Sequence, residues 1–211
     1  MKFLGIDSST QGTKVLCIDL DKEEVDYIDS INYDEDLSEY NTKNGVIKTE
    51  EKGLSEANPE MWIDGLKMLF KRMKNKDYPM KEIKAISVSG QQHGLVILDE
   101  NDNLTREKSK LWNDYSTKEE CDLLTEKIGG DKEMLKKVGN TQRPGYTAGK
   151  IFHFYRNEPK AAEETETFFL VHNYINWFLT GGVKVMEPGD TSGMALKYPG
   201  EDHWSEKVCN A

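Results

Sequence analysis

The chain has 211 residues, of which 28 are Lys or Arg and 38 are Asp or Glu, so its formal net charge is −10. This acidity disfavours binding to nucleic acid or to anionic membranes, because few positive side chains are available to neutralise phosphate groups. No apolar run is long enough for a membrane-spanning helix, and the N-terminus does not have the apolar core of a signal peptide. Cys17, Cys121 and Cys209 have neither metal-binding nor disulfide spacing, which predicts a reducing, cytoplasmic location.

The first half of the chain predicts a small antiparallel sheet followed by a helix. Residues 2–7, 14–20 and 25–33 have the pattern of three consecutive strands joined by short turns. The charged segment 34–57 predicts a long surface loop. The Asn-Pro pair at 58–59 marks the start of a helix, since Asn caps helices and Pro suits their first position. The apolar residues that follow have helical spacing: Trp62, Leu66, Leu69, Phe70 and Met73.

The second half mixes strands with helices. Strands are predicted at 83–89, 95–98 and 167–171, and extended structure at 183–198. One predicted helix is capped by Ser116 or Thr117 and runs to about residue 128, and the others span residues 131–138, 147–157, 159–165 and 172–179. The β-β-β-α-β order of the first part predicts one α/β domain, in which helices flank a mixed five-stranded sheet.

The turn between the first two predicted strands carries the first candidate site. Residues 5–14 read Gly-Ile-Asp-Ser-Ser-Thr-Gln-Gly-Thr-Lys. Such a turn directs backbone N–H groups and hydroxyls towards one point, which suits a phosphate group. Asp7, at the end of the strand, can hold Mg²⁺ through water, because Mg²⁺ keeps much of its hydration. An ordinary β-hairpin with a solvated tip explains the same residues.

Three further motifs are candidates for ligand binding. Residues 89–94, Ser-Gly-Gln-Gln-His-Gly, place amide and imidazole groups between glycines, a set that suits a hydroxyl-bearing ligand. In Leu-Trp-Asn-Asp at 111–114, the Trp can stack on a sugar. The Pro/Gly-bent segment 187–193 presents Asp190 as a candidate general base. Each motif also has a plain structural explanation, as a polar turn, a core Trp before a turn, and an Asx-type turn.

The order and spacing of these motifs resemble the FGGY family of carbohydrate kinases, within the actin/Hsp70/sugar-kinase superfamily. Residues 140–150, which contain Arg-Pro-Gly-Tyr-Thr-Ala-x-Lys, also fit this family. The resemblance implies an RNase H-like fold of the actin-like ATPase type. The Gln-His pair at 92–93 is similar to the pattern of xylulokinases, which implies the ATP-dependent conversion of D-xylulose to D-xylulose 5-phosphate in xylose metabolism.

The resemblance also implies a role for each site residue. Asp190 would take the proton from a sugar hydroxyl, whose oxygen would attack the γ-phosphoryl group of MgATP. Asp7 would hold Mg²⁺ through water. The implied ATP-binding residues are Asp7, Thr10, Gln11, Gly12, Thr13 and Lys14. The implied sugar-binding residues are Gln92, His93, Trp112, Asp114 and Asp190.

Members of the family are longer and bind ATP between two domains, whereas the second phosphate motif and the adenosine motif are absent here. Residues 1–211 are therefore expected to form the N-terminal sugar-binding domain, with a C-terminal nucleotide domain as its partner and little turnover on their own. A homodimer is left open. Another FGGY kinase, acting on a different ketose or a polyol, and a non-catalytic sugar-sensing module also stay open.

Overall fold

The structure is a computed structural model that describes all 211 residues. Its strands are β1 (Lys2–Ser8), β2 (Gly12–Asp19), β3 (Glu24–Asn32), β4 (Thr42–Lys43), β5 (Val46–Ile47), β6 (Glu56–Ala57), β7 (Ile83–Gly90), β8 (Val96–Asp99), β9 (Ser109–Lys110) and β10 (Thr165–Phe169). Its α-helices are α1 (Tyr33–Asp36), α2 (Pro59–Asn75), α3 (Lys118–Ile128), α4 (Asp131–Val138), α5 (Thr147–Asn157), α6 (Pro159–Glu163), α7 (Val171–Thr180), α8 (Pro188–Gly193) and α9 (Glu206–Cys209).

The main sheet has the order β3-β2-β1-β7. β1, β2 and β3 are antiparallel neighbours, and β7 joins β1 in parallel. The predicted α/β fold with a mixed sheet is confirmed, but the sheet has four strands and the prediction of five is wrong. After β7 the chain leaves the sheet at the 91–94 turn, where His93 has a left-handed φ of 59°. β8 then pairs with β10 in a separate two-stranded sheet.

One face of the main sheet packs on α2. The alternation of side chains along a strand places Leu4, Ile6, Val15 and Cys17 on this face, where they are buried. The apolar stripe of α2, including Trp62, is buried against them. The helix starts as predicted, with the Asn58 side chain accepting a hydrogen bond from the backbone N–H of Glu60 (2.8 Å). The alternation leaves Asp7 and Lys14 on the opposite face.

The prediction of a long loop at 34–57 is wrong, because this segment is folded. The carboxylate of Asp34 accepts hydrogen bonds from Thr42 Oγ1 (2.7 Å) and from the backbone N–H of Gly45 (3.0 Å). These bonds stabilise the hairpin of β4 and β5. Gly45 has a φ of 74°, and a Cβ atom there would lie 1.8 Å from the carbonyl oxygen of Thr10. The hairpin therefore packs directly against the turn between β1 and β2.

The predicted helices of the second half are confirmed as α3 to α7. The prediction of extended structure at 183–198 is wrong at Pro188–Gly193, which forms α8. The Glu187 carboxylate caps this helix by accepting hydrogen bonds from the backbone N–H groups of Gly189 and Asp190, and Pro188 occupies its first turn. None of the helices is both long and apolar enough to cross a membrane.

Candidate active site

The turn between β1 and β2 presents four of the predicted ATP-binding residues to solvent. Asp7 and Lys14 are opposite each other in the strand register, and both are exposed. Thr10 and Gln11 lie at the tip of the turn. The turn is closed by a hydrogen bond from the backbone N–H of Ser9 to the carbonyl oxygen of Gly12 (3.0 Å). A carboxylate, an ammonium group and a hydroxyl therefore lie at the same end of the β1–β2 hairpin.

The other two predicted ATP-binding residues have structural contacts. Thr13 lies on the covered face of β2, where it is buried and its hydroxyl bonds the hydroxyl of Tyr33 (2.6 Å). It does not share a face with Asp7. A Cβ atom on Gly12 would lie 2.1 Å from the carbonyl oxygen of Ile31, so this glycine allows β2 to approach β3 closely.

A pocket of about 480 Å³ lies beside this turn. Its volume falls within the range of small-molecule sites, and amide, imidazole and aromatic groups line it. Three of the predicted sugar-binding residues, Gln92, His93 and Trp112, are brought together here. The residues that line it are Gln91, Gln92, His93, Trp112, Tyr115, Pro144, Gly145 and Tyr146.

His93 is a neutral side chain in this pocket. Burial, together with the positive charge of Lys150, lowers the pKa of its imidazole to about 4. The ring packs on Tyr146 with centroids 4.8 Å apart. Neither ring nitrogen has a hydrogen-bond partner, and Nδ1 is fully buried; Gln91 Nε2 is likewise buried without a partner. Buried polar groups without partners are costly, whereas the exposed amide of Gln92 is accessible to a hydroxyl-bearing ligand.

Trp112 connects the pocket with the turn between β1 and β2. Its indole Nε1 donates a hydrogen bond to Thr10 Oγ1 (2.9 Å), and Thr10 Oγ1 donates to Gln91 Oε1 (3.3 Å). The indole itself is about half exposed at the rim of the pocket. The candidate phosphate turn and the candidate sugar pocket are therefore joined by direct side-chain bonds.

Asp114 lies beneath the pocket and contributes no exposed atom to its wall. Its carboxylate accepts hydrogen bonds from the backbone N–H groups of Ser55 (2.8 Å) and Ser116 (3.1 Å), and Lys110 Nζ lies 3.6 Å away. The structure therefore does not place Asp114 where a substrate contact was predicted. The hydrogen bonds of Asp114 instead hold the backbone segment that contains Trp112.

Asp190 lies in an adjoining depression of about 440 Å³, which Ser89, Gln92 and His172 also line. Its Oδ2 is hydrogen-bonded to Nε2 of His172, whereas Oδ1 has no such bond. Burial and the neighbouring Glu187 carboxylate raise the pKa of the Asp190 carboxyl, and the adjacent His172 acts in the opposite direction. Because Ser89 is the β7 neighbour of Asp7, this depression lies at the same end of the sheet as the candidate phosphate turn.

α8 also touches the candidate sugar pocket. A Cβ atom on Gly193 would lie 3.2 Å from Cε1 of His93, so the end of α8 packs against the imidazole. At the other side, a Cβ atom on Gly90 would lie 3.0 Å from Cβ of His172. The bond between His172 and Asp190 thus holds α8 over the 90–94 turn.

Tyr146, Lys150 and His172 were given no role by the sequence analysis. The first two lie in the 140–150 segment that carried the family resemblance, and that resemblance was the available signal. His172 follows the apolar run 168–171 and lies in the first turn of α7, and nothing in its local pattern distinguishes it from a helix-capping polar residue.

The chain contains no group of three or more His, Cys, Asp or Glu side chains that could hold a metal ion. The exposed carboxylate of Asp7 is compatible with Mg²⁺ that is held mainly by water and phosphate oxygens, as this ion prefers. A metal site made only of protein ligands does not fit these residues.

The fold is an α/β domain with a polar pocket at the end of a mixed sheet, and sequence comparison identifies its family. A sequence model of the FGGY family of carbohydrate kinases, N-terminal domain, matches residues 2–211. The chain belongs to this family.

Individual relatives agree with this assignment. A xylulose kinase of Haemophilus influenzae is 35% identical over 211 residues, which cover 98% of this chain and 40% of the relative. A xylulose kinase of Saccharomyces cerevisiae is 30% identical, and the match covers 98% of this chain and 38% of the relative. A solved structure from Brucella ovis, described as a xyloylose kinase, superposes with a TM-score of 0.83 at 26% identity and covers 99% of this chain and 40% of that one. The chain thus spans about 40% of the length of these relatives.

Proposed function

We propose that this chain is the sugar-binding domain of a kinase that phosphorylates D-xylulose. The observation that carries the proposal is the pocket in which Gln91, Gln92 and a neutral His93 converge beside Trp112 and Tyr146. Amide and imidazole groups bond sugar hydroxyls, and the two aromatic rings offer apolar faces to the carbon skeleton. Relatives of the same family that are named xylulose kinases support the choice of sugar.

The turn at 7–14 would receive the phosphate side of ATP. Asp7 would hold Mg²⁺ through water, and Thr10, Gln11 and Lys14 offer hydroxyl, amide and ammonium groups at the same end of the sheet. When bound, MgATP supplies the transferable phosphoryl group. The bond from Trp112 to Thr10 keeps this turn at a fixed distance from the sugar pocket, and such positioning provides most of the catalysis in phosphoryl transfer.

Asp190 is the proposed general base. Its Oδ1 is available to accept a proton from a sugar hydroxyl, and its Oδ2 is oriented by His172. Gln92 lines both the depression that contains Asp190 and the sugar pocket, so a sugar that fills the pocket and extends past Gln92 would reach the carboxylate.

ATP would be shared with a second domain, for which the longer relatives have ample length. In this scheme residues 1–211 supply the sugar site and one side of the phosphate site. They would bind sugar, and they would transfer phosphate slowly or not at all without the second domain. A cytoplasmic location in xylose metabolism belongs to the same proposal.

Binding calorimetry on the 211-residue chain tests the proposal. We expect D-xylulose to bind, and D-ribulose, gluconate and glycerol to bind more weakly. Gln92→Ala and His93→Ala should each weaken binding about tenfold or more, because each leaves a sugar hydroxyl without its partner. His203→Ala is the matched control, since His203 is exposed and outside the pocket. Equal affinity for all four compounds, or none for D-xylulose, would refute the proposed substrate.

A further inference from the structure

Lys150 is a fully buried lysine that the proposed mechanism does not use. It lies on α5, and its Nζ donates hydrogen bonds to the carbonyl oxygens of His93 (2.5 Å) and Gly145 (2.6 Å). Both of these residues line the sugar pocket. A single ammonium group therefore joins two segments of its wall, the 91–94 turn and the 143–146 turn.

The main chain has a positive φ at both points of attachment. His93 has a φ of 59° and Gly145 a φ of 95°, both in the left-handed region. Glycine adopts this conformation readily, whereas for a histidine it carries a cost that the surrounding contacts must offset. A Cβ atom on Gly145 would lie 2.4 Å from the carbonyl oxygen of Trp112, so the second turn also packs closely against the chain that carries Trp112.

Lys150 has no carboxylate partner to explain its burial. The buried carboxylate of Asp114 pairs with Lys110. Burial lowers the pKa of Lys150 to about 7. A neutral amine still has two N–H groups, which match the two carbonyl oxygens, so both bonds persist whether or not the side chain is protonated.

We propose that Lys150 is a positioning residue, which shapes the sugar pocket by holding the main chain of His93 against that of Gly145. The bonds fix the imidazole of His93 against the ring of Tyr146 and set the spacing between the pocket's two turns. The part of this proposal that concerns sugar affinity rests on the proposed function. The part that concerns the geometry of the two turns does not.

Lys150→Met tests the inference, because methionine has nearly the same length and offers no N–H group. In the 211-residue chain we expect at least a tenfold weaker affinity for D-xylulose. We also expect loss of the nuclear Overhauser effect between the rings of His93 and Tyr146. Lys2→Met is the matched control, since Lys2 is also buried but bonds Asp19 and Asp26 at the far end of the sheet. Lys2→Met should lower the stability of the fold, but leave the affinity for D-xylulose and the contact between the rings of His93 and Tyr146 unchanged.

The two readouts separate failure of the inference from failure of the proposed function. An unchanged ring contact in a folded Lys150→Met chain overturns the positioning role, whatever the sugar does. A lost ring contact, together with a wild-type chain that does not bind D-xylulose, supports the positioning role and refutes the proposed substrate.

Should Lys150→Met not fold, the wild-type chain decides the matter by NMR. The Nζ protons of Lys150 should exchange slowly and show scalar couplings across the hydrogen bonds to the carbonyl carbons of His93 and Gly145. Rapid exchange without these couplings would overturn the inference.

Discussion

The indole Nε1 of Trp112 donates a hydrogen bond to Oγ1 of Thr10 over 2.9 Å, although 102 residues separate them in the chain. Thr10 belongs to the turn between β1 and β2, whereas Trp112 stands at the rim of the candidate sugar pocket. Because Thr10 Oγ1 also bonds Gln91, one hydroxyl connects the two halves of the candidate active site. The two motifs are thus joined in one hydrogen-bonded arrangement.

Thr10→Val should loosen this connection. Valine has the shape of threonine but no hydroxyl, so Trp112 Nε1 and Gln91 Oε1 both lose a partner. We expect the affinity for D-xylulose to fall roughly tenfold, which corresponds to about 1.4 kcal/mol for the lost bonds. Calorimetry measures the affinity, and the fluorescence of Trp112 should change with it.

Thr180→Val is the control for this change. Thr180 is exposed, and its hydroxyl bonds only the last turn of its own helix and the adjoining backbone. It should leave sugar affinity as it is. If Thr10→Val has as little effect as the control, the bond to Trp112 does not organise the pocket.

His93 should titrate far below an ordinary histidine. Burial and the charge of Lys150 lower its pKa to about 4 in the folded chain, whereas the unfolded value is about 6.5. Between these two values the unfolded chain binds more protons than the folded chain. The stability that neutral His93 contributes is therefore complete above about pH 6.5 and is lost as the pH falls towards 4.

NMR titration of the four histidines measures this pKa, and His93→Gln assigns the signal of His93. The free energy of unfolding should fall more steeply between pH 6.5 and 4.5 in the wild-type chain than in His93→Gln. A midpoint at or above 6.5 for His93 would show that the imidazole is not buried as described.

The sequence predicted most of the main sheet because its signals are local. The strand pattern of β1 to β3, the Asn58 cap and the apolar stripe of α2 each depend on residues close together in the chain. The pairing of β8 could not be predicted in this way, since its partner β10 lies more than 60 residues further on. The folding of 34–57 was missed for a different reason: the partners of Asp34 are close in the chain, but they include backbone N–H groups, which carry no residue-type signal.

The sequence predicted several of the residues that meet in the candidate site, but not the contacts that surround them. Gln92, His93 and Trp112 meet in one pocket, as the motifs indicated. The directions of Thr13 and Asp114 depend on tertiary contacts, to Tyr33 and to Ser55, that spacing alone does not reveal. The extent of the domain over residues 1–211, and the catalytic roles of the site residues, stay predictions.

Asp114→Ala distinguishes a supporting carboxylate from a sugar ligand. Its removal leaves the backbone N–H groups of Ser55 and Ser116 without their acceptor and takes one of two nearby carboxylates from the buried Lys110. We expect a loss of about 3–5 kcal/mol in the free energy of unfolding, as for other broken buried pairs. Urea denaturation measures it. Normal stability combined with abolished sugar binding would instead make Asp114 a direct ligand, as the sequence analysis predicted.

Asp190→Asn tests the proposed general base against a purely positioning role. The substitution keeps the size of the side chain but removes its ability to take a proton. If Asp190 is the base, phosphoryl transfer to D-xylulose in a kinase that combines this domain with a nucleotide domain should fall about 10²- to 10⁴-fold. The dissociation constant of D-xylulose should change by less than a factor of three, because the carboxylate lies outside the pocket that Trp112 lines.

His172→Gln is the companion variant, because it removes the imidazole that bonds Asp190 and leaves the carboxylate in place. For a base that His172 orients, it should lower the transfer rate less than Asp190→Asn does. If the pair serves only to hold α8 over the 90–94 turn, both variants should weaken sugar binding to the same extent, since Gly193 of α8 packs against His93. Equal losses of affinity with an otherwise normal rate at saturating sugar would therefore remove Asp190 from the catalytic step and leave it a structural link between α7 and α8.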